Sequence, residues 1–343
     1  MRKTLLLVFI LLFVFTSFAI VKYEDLEAKT IAVINGESIN YDYFQSQAKT
    51  LEILRSINKL NNTFYKILVG STEGNSVIQK YEKTKLDKLA GEILFIQFTE
   101  KIKGLDLKRN ELYNSIKSQV ESIFNSSKLS ENDILLYLIS KGFENKEQYI
   151  YNIYHDKLYQ RAVSAIYQYL IDNVTVSENE IRDEYDKNKD KYFKPQAADI
   201  KLVLLNSSDD ASLAYQKIID GYYTFDDIYK NKISSNEATM MRVNIDNEQS
   251  DFLKTIRSSF PGAILKPMKY NNDSYALIKI EKKYPKTQMT FEEARPDIIK
   301  NLKDEKAKKL FDKLVSSDFQ QFKNDSEVII NSKYFKGDET NGN

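Results

Sequence analysis

The 343-residue chain contains no cysteine, no tryptophan and one histidine, His155. Without cysteine there is no disulfide, no thiolate nucleophile, no cysteine-ligated zinc and no lipid-modified N-terminal cysteine. A single histidine leaves no histidine pair for a metal site, and no serine and carboxylate stand at a diagnostic spacing from it for a triad. His155 lies in the helical amphipathic run Ile150–Leu158 and reads as a structural or surface residue. Glycine (10) and proline (5) are scarce, which favours long helices. Neither a P-loop nor a G-x-G-x-x-G turn is present, so ATP use is not expected. Charge of one sign is missing too: 50 basic residues against 49 acidic give a net of +1, with no basic footprint for nucleic acid. No metal and no organic cofactor are expected.

What is present is enough apolar material, 42% of residues, for more than one core, and a length that implies two or three domains. The first residues have the layout of an export leader. Arg2 and Lys3 are followed by the apolar run Leu5–Phe15 and by small residues at Ser17 and Ala19. Two readings stand: a cleaved signal over residues 1–19, or an uncleaved membrane anchor over residues 5–21, at the short end of what spans a bilayer. Both place the remainder outside the cytoplasm, in a periplasm or cell envelope.

Further along, Ile31–Ile39 reads as a β-hairpin turned by Asn35-Gly36, whose residues tolerate positive φ. Asn40 is a helix N-cap. From Tyr41 to about Leu170 the period is helical, with a stripe at Leu86, Leu89, Ile93 and Ile96. A further helix holds Leu112, Ile116, Val120 and Ile123. Ser130–Asp133 is a capping box opening a helix with Leu135, Leu136 and Ile139. Residues 58–78 read as a polar insertion or loop. A tyrosine-rich helix runs from Lys146 to about Asp172. Ser177 with Glu180 caps the next helix, after which Ile200, Leu202 and Leu204 alternate as a strand. Helices over Ala211–Gly221, from Phe225, and over Asp251–Phe260, with strands at 263–268 and 275–280, make an α+β unit. Phe291–Phe322 is a final amphipathic helix, and residues 331–343 read as a disordered tail.

Taken together, several segments resemble the exported foldases with a parvulin-type (PpiC, rotamase) domain, the SurA, PrsA and PpiD group. They are Ala32–Ile39, Leu158–Ala162, Val176–Ile181 with Tyr185 and Phe193, the turn Gly221–Phe225, and Pro261–Met268. The resemblance implies an α+β protein. A mostly helical SurA-like chaperone domain (24–190) precedes a parvulin-like domain (194–284). A C-terminal helix (288–325) then packs back on the chaperone domain through Phe291, Ile298, Leu302, Leu310, Phe311 and Leu314.

Family parvulins carry two histidines at the sheet centre. The resemblance sets Lys201 at the first position and Ala276 at the second. The family's glycine-rich segment is replaced by Ser234–Met241, which has no glycine. Apolar pocket candidates are Met240, Met241, Phe252, Ile256 and Phe260, although Phe252, Ile256 and Phe260 also fit a plain core face. The tyrosines at 149, 151, 154, 159, 167 and 169 either line a cleft for unfolded chains or form an interior face. Of these, Tyr151, Tyr154 and Tyr159 are carried as peptide-binding candidates. The expected function is an extracytoplasmic peptide-binding chaperone for unfolded or nascent exported polypeptides, with a parvulin-like domain that has lost its polar centre. An active prolyl isomerase and a scaffold reusing the fold are the alternatives.

Overall fold

The computed structural model describes residues 20–101, 104–246, 250–271 and 274–335. The expected leader, residues 1–19, lies outside them. In chain order the elements are β1 (Ile20–Glu24), β2 (Thr30–Ile34), β3 (Glu37–Asn40), α1 (Tyr41–Ala48), α2 (Thr50–Leu60), α3 (Asn62–Gly70) and α4 (Thr72–Lys101). Then come α5 (Arg109–Ser126), α6 (Glu131–Ser140), α7 (Lys146–Asn173), α8 (Glu178–Lys187), β4 (Phe193–Lys194), β5 (Ala197–Leu205), α9 (Ser208–Ile219) and α10 (Phe225–Ile233). The last are β6 (Ala238–Asn244), α11 (Asp251–Ser258), β7 (Ile264–Lys269), β8 (Tyr275–Tyr284), β9 (Thr287–Gln288), α12 (Phe291–Ser316), α13 (Asp318–Asn324) and β10 (Glu327–Asn331). The class is α+β.

The chain divides into two compact units. Unit 1 is discontinuous, residues 1–175 with 303–343, and unit 2 is residues 176–302. The seams fall at Thr175/Val176 and Leu302/Lys303, not near 190 and 285. The reason is α8. Its buried Ile181 packs with Tyr192, Ala294 and Ile298 rather than with the N-terminal helices.

Unit 1 is built around α4 and α7, with a four-stranded sheet in the order β1-β10-β2-β3. The β2–β3 hairpin turns at Asn35 (φ 46°) and Gly36 (φ 86°), both in the left-handed region. Asn35 also accepts the Glu327 backbone N–H (2.9 Å) and donates to Gln97 of α4 (3.0 Å), tying the turn to β10 and α4. Phe95 is fully buried and meets Phe319 edge-to-face at 5.1 Å, so α13 closes this core. Burial of one such ring contributes about 1.5–3 kcal/mol.

Three expectations need correction in this unit. Residues 58–78 form parts of α2, α3 and α4 instead of a loop; Asn61 caps α3 through the Phe64 N–H and Ser71 caps α4 through the Gly74 N–H. The tail expected from Asn331 begins inside the fold. Asn331 is fully buried, its amide donates to the Thr30 carbonyl (2.7 Å), and Phe335 is buried against Phe44. Residues 336–343 lie outside the described part. Finally, the apolar face of Phe291–Phe322 is divided. Phe311 and Leu314 pack in unit 1, whereas Phe291, Ile298 and Leu302 pack in unit 2 and Leu310 is exposed.

Unit 2 is a four-stranded antiparallel sheet, β6-β5-β8-β7, plus the small β4–β9 pair. One face carries Ala198, Ile200, Leu202, Ala276, Ile278 and Ile280 under α11. The other carries Val203, Leu277 and Ala238 under α10. Period-two alternation sends neighbouring residues to opposite faces.

Candidate functional site

The alternation decides where the family's two histidine positions fall in unit 2. Ala276 is fully buried on the α11 face, opposite Leu204 of β5. Lys201 points the other way. Its ammonium reaches Asp226 of α10 at 2.7 Å and Glu281 at 3.2 Å, and lies 5.3 Å from the Tyr229 ring. Lys279, its cross-strand partner, meets the second oxygen of Asp226 at 2.6 Å. Lys201 and Ala276 therefore cannot serve one centre. The β5 residues sharing the Ala276 face are Leu202 and Leu204.

The Lys201–Asp226–Lys279–Glu281 group is a compact ion-pair cluster. Hydrogen bonds from the two lysines hold the Asp226 carboxyl down at about 2, and Asp226 raises Lys201 in return. The buried Glu281 Oε1 has ion-pair neighbours but no hydrogen bond of good geometry.

On the Ala276 face, Met241, Phe252 and Ile256 are brought together with Leu265 and Met268. Phe252 also packs edge-to-face on Tyr270 at 6.2 Å. Met240 and Phe260 are not part of this group. Met240 lies opposite Lys201 on the other face, and Phe260 stands 80% exposed beyond the end of α11. Met241, Phe252, Ile256, Leu265 and Met268 are apolar and can desolvate a peptide but supply no acid or base, and Tyr270 brings a hydroxyl beside Phe252.

Residues 176–296 match the family of PPIC-type PPIase domains. Unit 2 carries a parvulin-type domain. Over 318 residues the chain is 24% identical to the foldase protein PrsA of Clostridium perfringens, covering 89% of this chain and 87% of that protein. The PrsA foldase of Clostridium botulinum strain Okra is 23% identical over 309 residues, covering 86% and 87%. Among solved structures, the foldase PrsA of Lactococcus lactis is similar with a TM-score of 0.35 at 12% identity, over 90% of this chain and 97% of that one. A SurA-like chaperone of Campylobacter jejuni is similar with a TM-score of 0.33 at 14% identity, over 88% and 98%.

In unit 1 the candidate tyrosines turn inward. Tyr154 is buried, and Tyr151 and Tyr159 are half-buried against the core. Tyr151 meets Tyr43 edge-to-face at 5.1 Å, Tyr154 meets Tyr113 at 5.5 Å and Tyr159 meets Phe95 at 5.9 Å. Burial pushes the Tyr151 hydroxyl up to about 12. That hydroxyl lies 3.0 Å from Nε2 of His155, which is itself buried. Burial, helped by the Arg109 guanidinium, lowers His155 to about 4. Interior packing thus occupies Ile256 of the parvulin-type domain and the three candidate tyrosines of this cluster, whereas Met240 and Phe260 stay exposed.

The open surface of unit 1 lies elsewhere. A groove of about 540 Å³ runs between α2 and the α6–α7 turn. Its apolar lining includes Tyr41, Leu51, Ile139 and Phe143, and Arg55 and Lys59 stand along its α2 wall. A smaller groove of about 290 Å³ lies on the other side of α2, beside Ile53, Leu60 and Tyr81. Beside the first groove, Leu135, Leu136, Tyr137 and Ile139 of α6 are exposed, while only Ile134 and Leu138 are buried. The sequence signal was the unbroken apolar run Ile134–Ile139. A helix apolar all round needs cover on both sides, and here one side has none.

Proposed function

We propose that the chain is an exported, foldase-type chaperone that holds unfolded polypeptides along the α2–α6 groove of unit 1, and that its parvulin-type domain does not isomerise proline. The bare side of α6 carries this reading. Soluble proteins rarely leave a contiguous apolar surface open unless it binds something, and a groove with flexible aliphatic walls adapts to many partners. The relatives described as foldases support it, as does the leader-like sequence of residues 1–19. Ile20 and Val21 pair with β10, which speaks against their lying in an anchor spanning residues 5–21. Among the described residues no helix is long and apolar enough to cross a membrane.

The scarcity of polar groups on the Ala276 face supports loss of isomerisation. Rotation about an X-Pro bond faces a barrier of about 18–20 kcal/mol, and apolar contact without a tuned polar group leaves most of it in place. Two assays test the reading. Suppression of aggregation of a chemically unfolded protein is expected from the purified chain and should fall several-fold in the Leu136→Ser/Ile139→Ser variant. Exchange spectroscopy on a short X-Pro peptide should show no acceleration. Acceleration at substoichiometric protein makes the domain an isomerase; unchanged suppression by the variant removes the groove from the mechanism.

A further inference from the structure

The segment that replaces the glycine-rich stretch of the family, Ser234–Met241, is a turn only over residues 234–237. From Ala238 it is the edge strand β6, seven residues in regular antiparallel register with β5 and without a bulge. The hydrogen-bond phase of this edge is set at both ends. The Leu204 N–H donates to the Glu237 carbonyl, and the Ile245 N–H donates to the Gln196 carbonyl. Bonding pairs alternate along an antiparallel ladder. Thr239, Met241 and Val243 therefore spend their backbone groups on β5, whereas Met240 and Arg242 aim their N–H and C=O outward.

Sheet edges in native proteins are commonly blunted by proline, bulges or inward charge. The opposite edge of this sheet is blunted: β7 contains Pro267 and a register shift between Leu265 and Met268. The β6 edge has neither device, and Thr239, Met240, Arg242 and Asn244 along it are exposed. We infer that β6 is a second docking site, which takes an extended segment of unfolded polypeptide as an added strand.

The chemistry of the edge favours such an occupant. Backbone donors and acceptors recognise any extended chain irrespective of its side chains, the property a protein with many clients needs. The edge is also short, spanning about 23 Å at the usual strand rise. Pairing along it buries well under the roughly 1,000 Å² of a specific stable interface. That size suits a client that must be released and is too small to hold two copies of this chain together. The inference goes beyond the groove reading, since it places a separate site on the parvulin-type domain.

The test is fluorescence anisotropy with the purified protein and a labelled peptide of alternating Val and Thr, alongside the same peptide N-methylated at every second residue. Met240→Pro removes one outward N–H and no β5–β6 bond; it is expected to weaken peptide binding at least five-fold. Met240→Ala keeps that N–H and is expected to stay within two-fold of the parent. N-methylation should weaken binding to the parent protein and have little further effect on the Met240→Pro variant. Equal losses in Met240→Ala and Met240→Pro would overturn the inference in favour of side-chain recognition. No effect of either the proline or the N-methylation, or no binding by the parent, overturns it outright. Should the Met240→Pro variant lose its fold by circular dichroism, the N-methylated peptide alone decides. Sedimentation showing a dimer that Met240→Pro abolishes would assign the edge to a second copy instead. The Leu136→Ser/Ile139→Ser variant separates this site from the groove: binding that persists in it and falls further with Met240→Pro belongs to the edge, whereas binding lost in it and untouched by Met240→Pro belongs to the groove and overturns the inference.

Discussion

His155 is enclosed by Tyr43, Tyr151 and Tyr154, with the Arg109 guanidinium adding to the cost of a second positive charge. Its folded value near 4 lies below the ordinary 6.5, so the unfolded chain takes up a proton that the folded chain refuses. Stability is therefore complete above about pH 6.5 and declines as pH falls toward 4. At pH 5 the loss is roughly 2 kcal/mol. Chemical denaturation at pH 7 and pH 5 reads it. The Glu92 carboxyl, raised by burial, titrates with the opposite sign, so the comparison that isolates the histidine is parent against His155→Asn. The variant should show a clearly shallower slope across this range, and an unchanged slope would remove His155 as the source. At the same scale, Lys201 and Ala276 fall on opposite faces of one sheet. The alternation of Ile200, Leu202 and Leu204 was legible, and it already set Lys201 on the face away from those side chains. Only the pairing of β5 with β8 shows that Ala276 shares the leucine face.

At the scale of elements, legibility followed locality. The Asn35-Gly36 turn and the capping boxes at Ser130–Asp133 and Ser177–Glu180 are bonds between residues within a few positions of one another, and they form as their sequences imply. The end of α2 and the whole of α3 were hidden because little of these helices is buried: Thr50 in the first and Leu68 in the second. The apolar residues of α2 line the grooves and Phe64, Ile67 and Val69 of α3 are exposed, so no buried stripe marked them. The exposure of Leu135, Leu136 and Ile139 on α6 was hidden for the complementary reason. An unbroken apolar run gives no phase, and packing alone decides which side is covered. What joins α3 to α4 is a backbone approach at Gly74, where a Cβ would overlap the Leu68 carbonyl. Gly74→Ala is expected to push α3 off α4 at a cost of about 1–3 kcal/mol. Thermal melting together with aggregation suppression measures it, and both should fall. A variant with parent melting and parent suppression would show that the approach is not needed.

For the whole molecule, the feature least visible in the sequence is the sheet of unit 1. Its second strand in space, β10, is the last strand in the chain, and it pairs with β1 in parallel and with β2 antiparallel. Such partners are about 300 residues apart, and neither strand carries a local mark of the other. Chain termination after residue 325 removes the strand between β1 and β2 and exposes the carbonyls that Asn331 satisfies. The truncated chain is expected to lose the cooperative melting of unit 1 while unit 2, which has its own cores, keeps a separate transition. Calorimetry distinguishes this outcome from a single unchanged transition.

That topology imposes an order on events. A chain is made from its first residue onward, so β1 and β2 appear long before the strand that must lie between them. Unit 2 has all its strands in hand earlier and can form while the rest is still arriving. The groove that would hold other proteins can reach its final shape only when the closing segment is delivered. A copy interrupted after residue 302 but before β10 carries the parvulin-type domain without a finished sheet in unit 1.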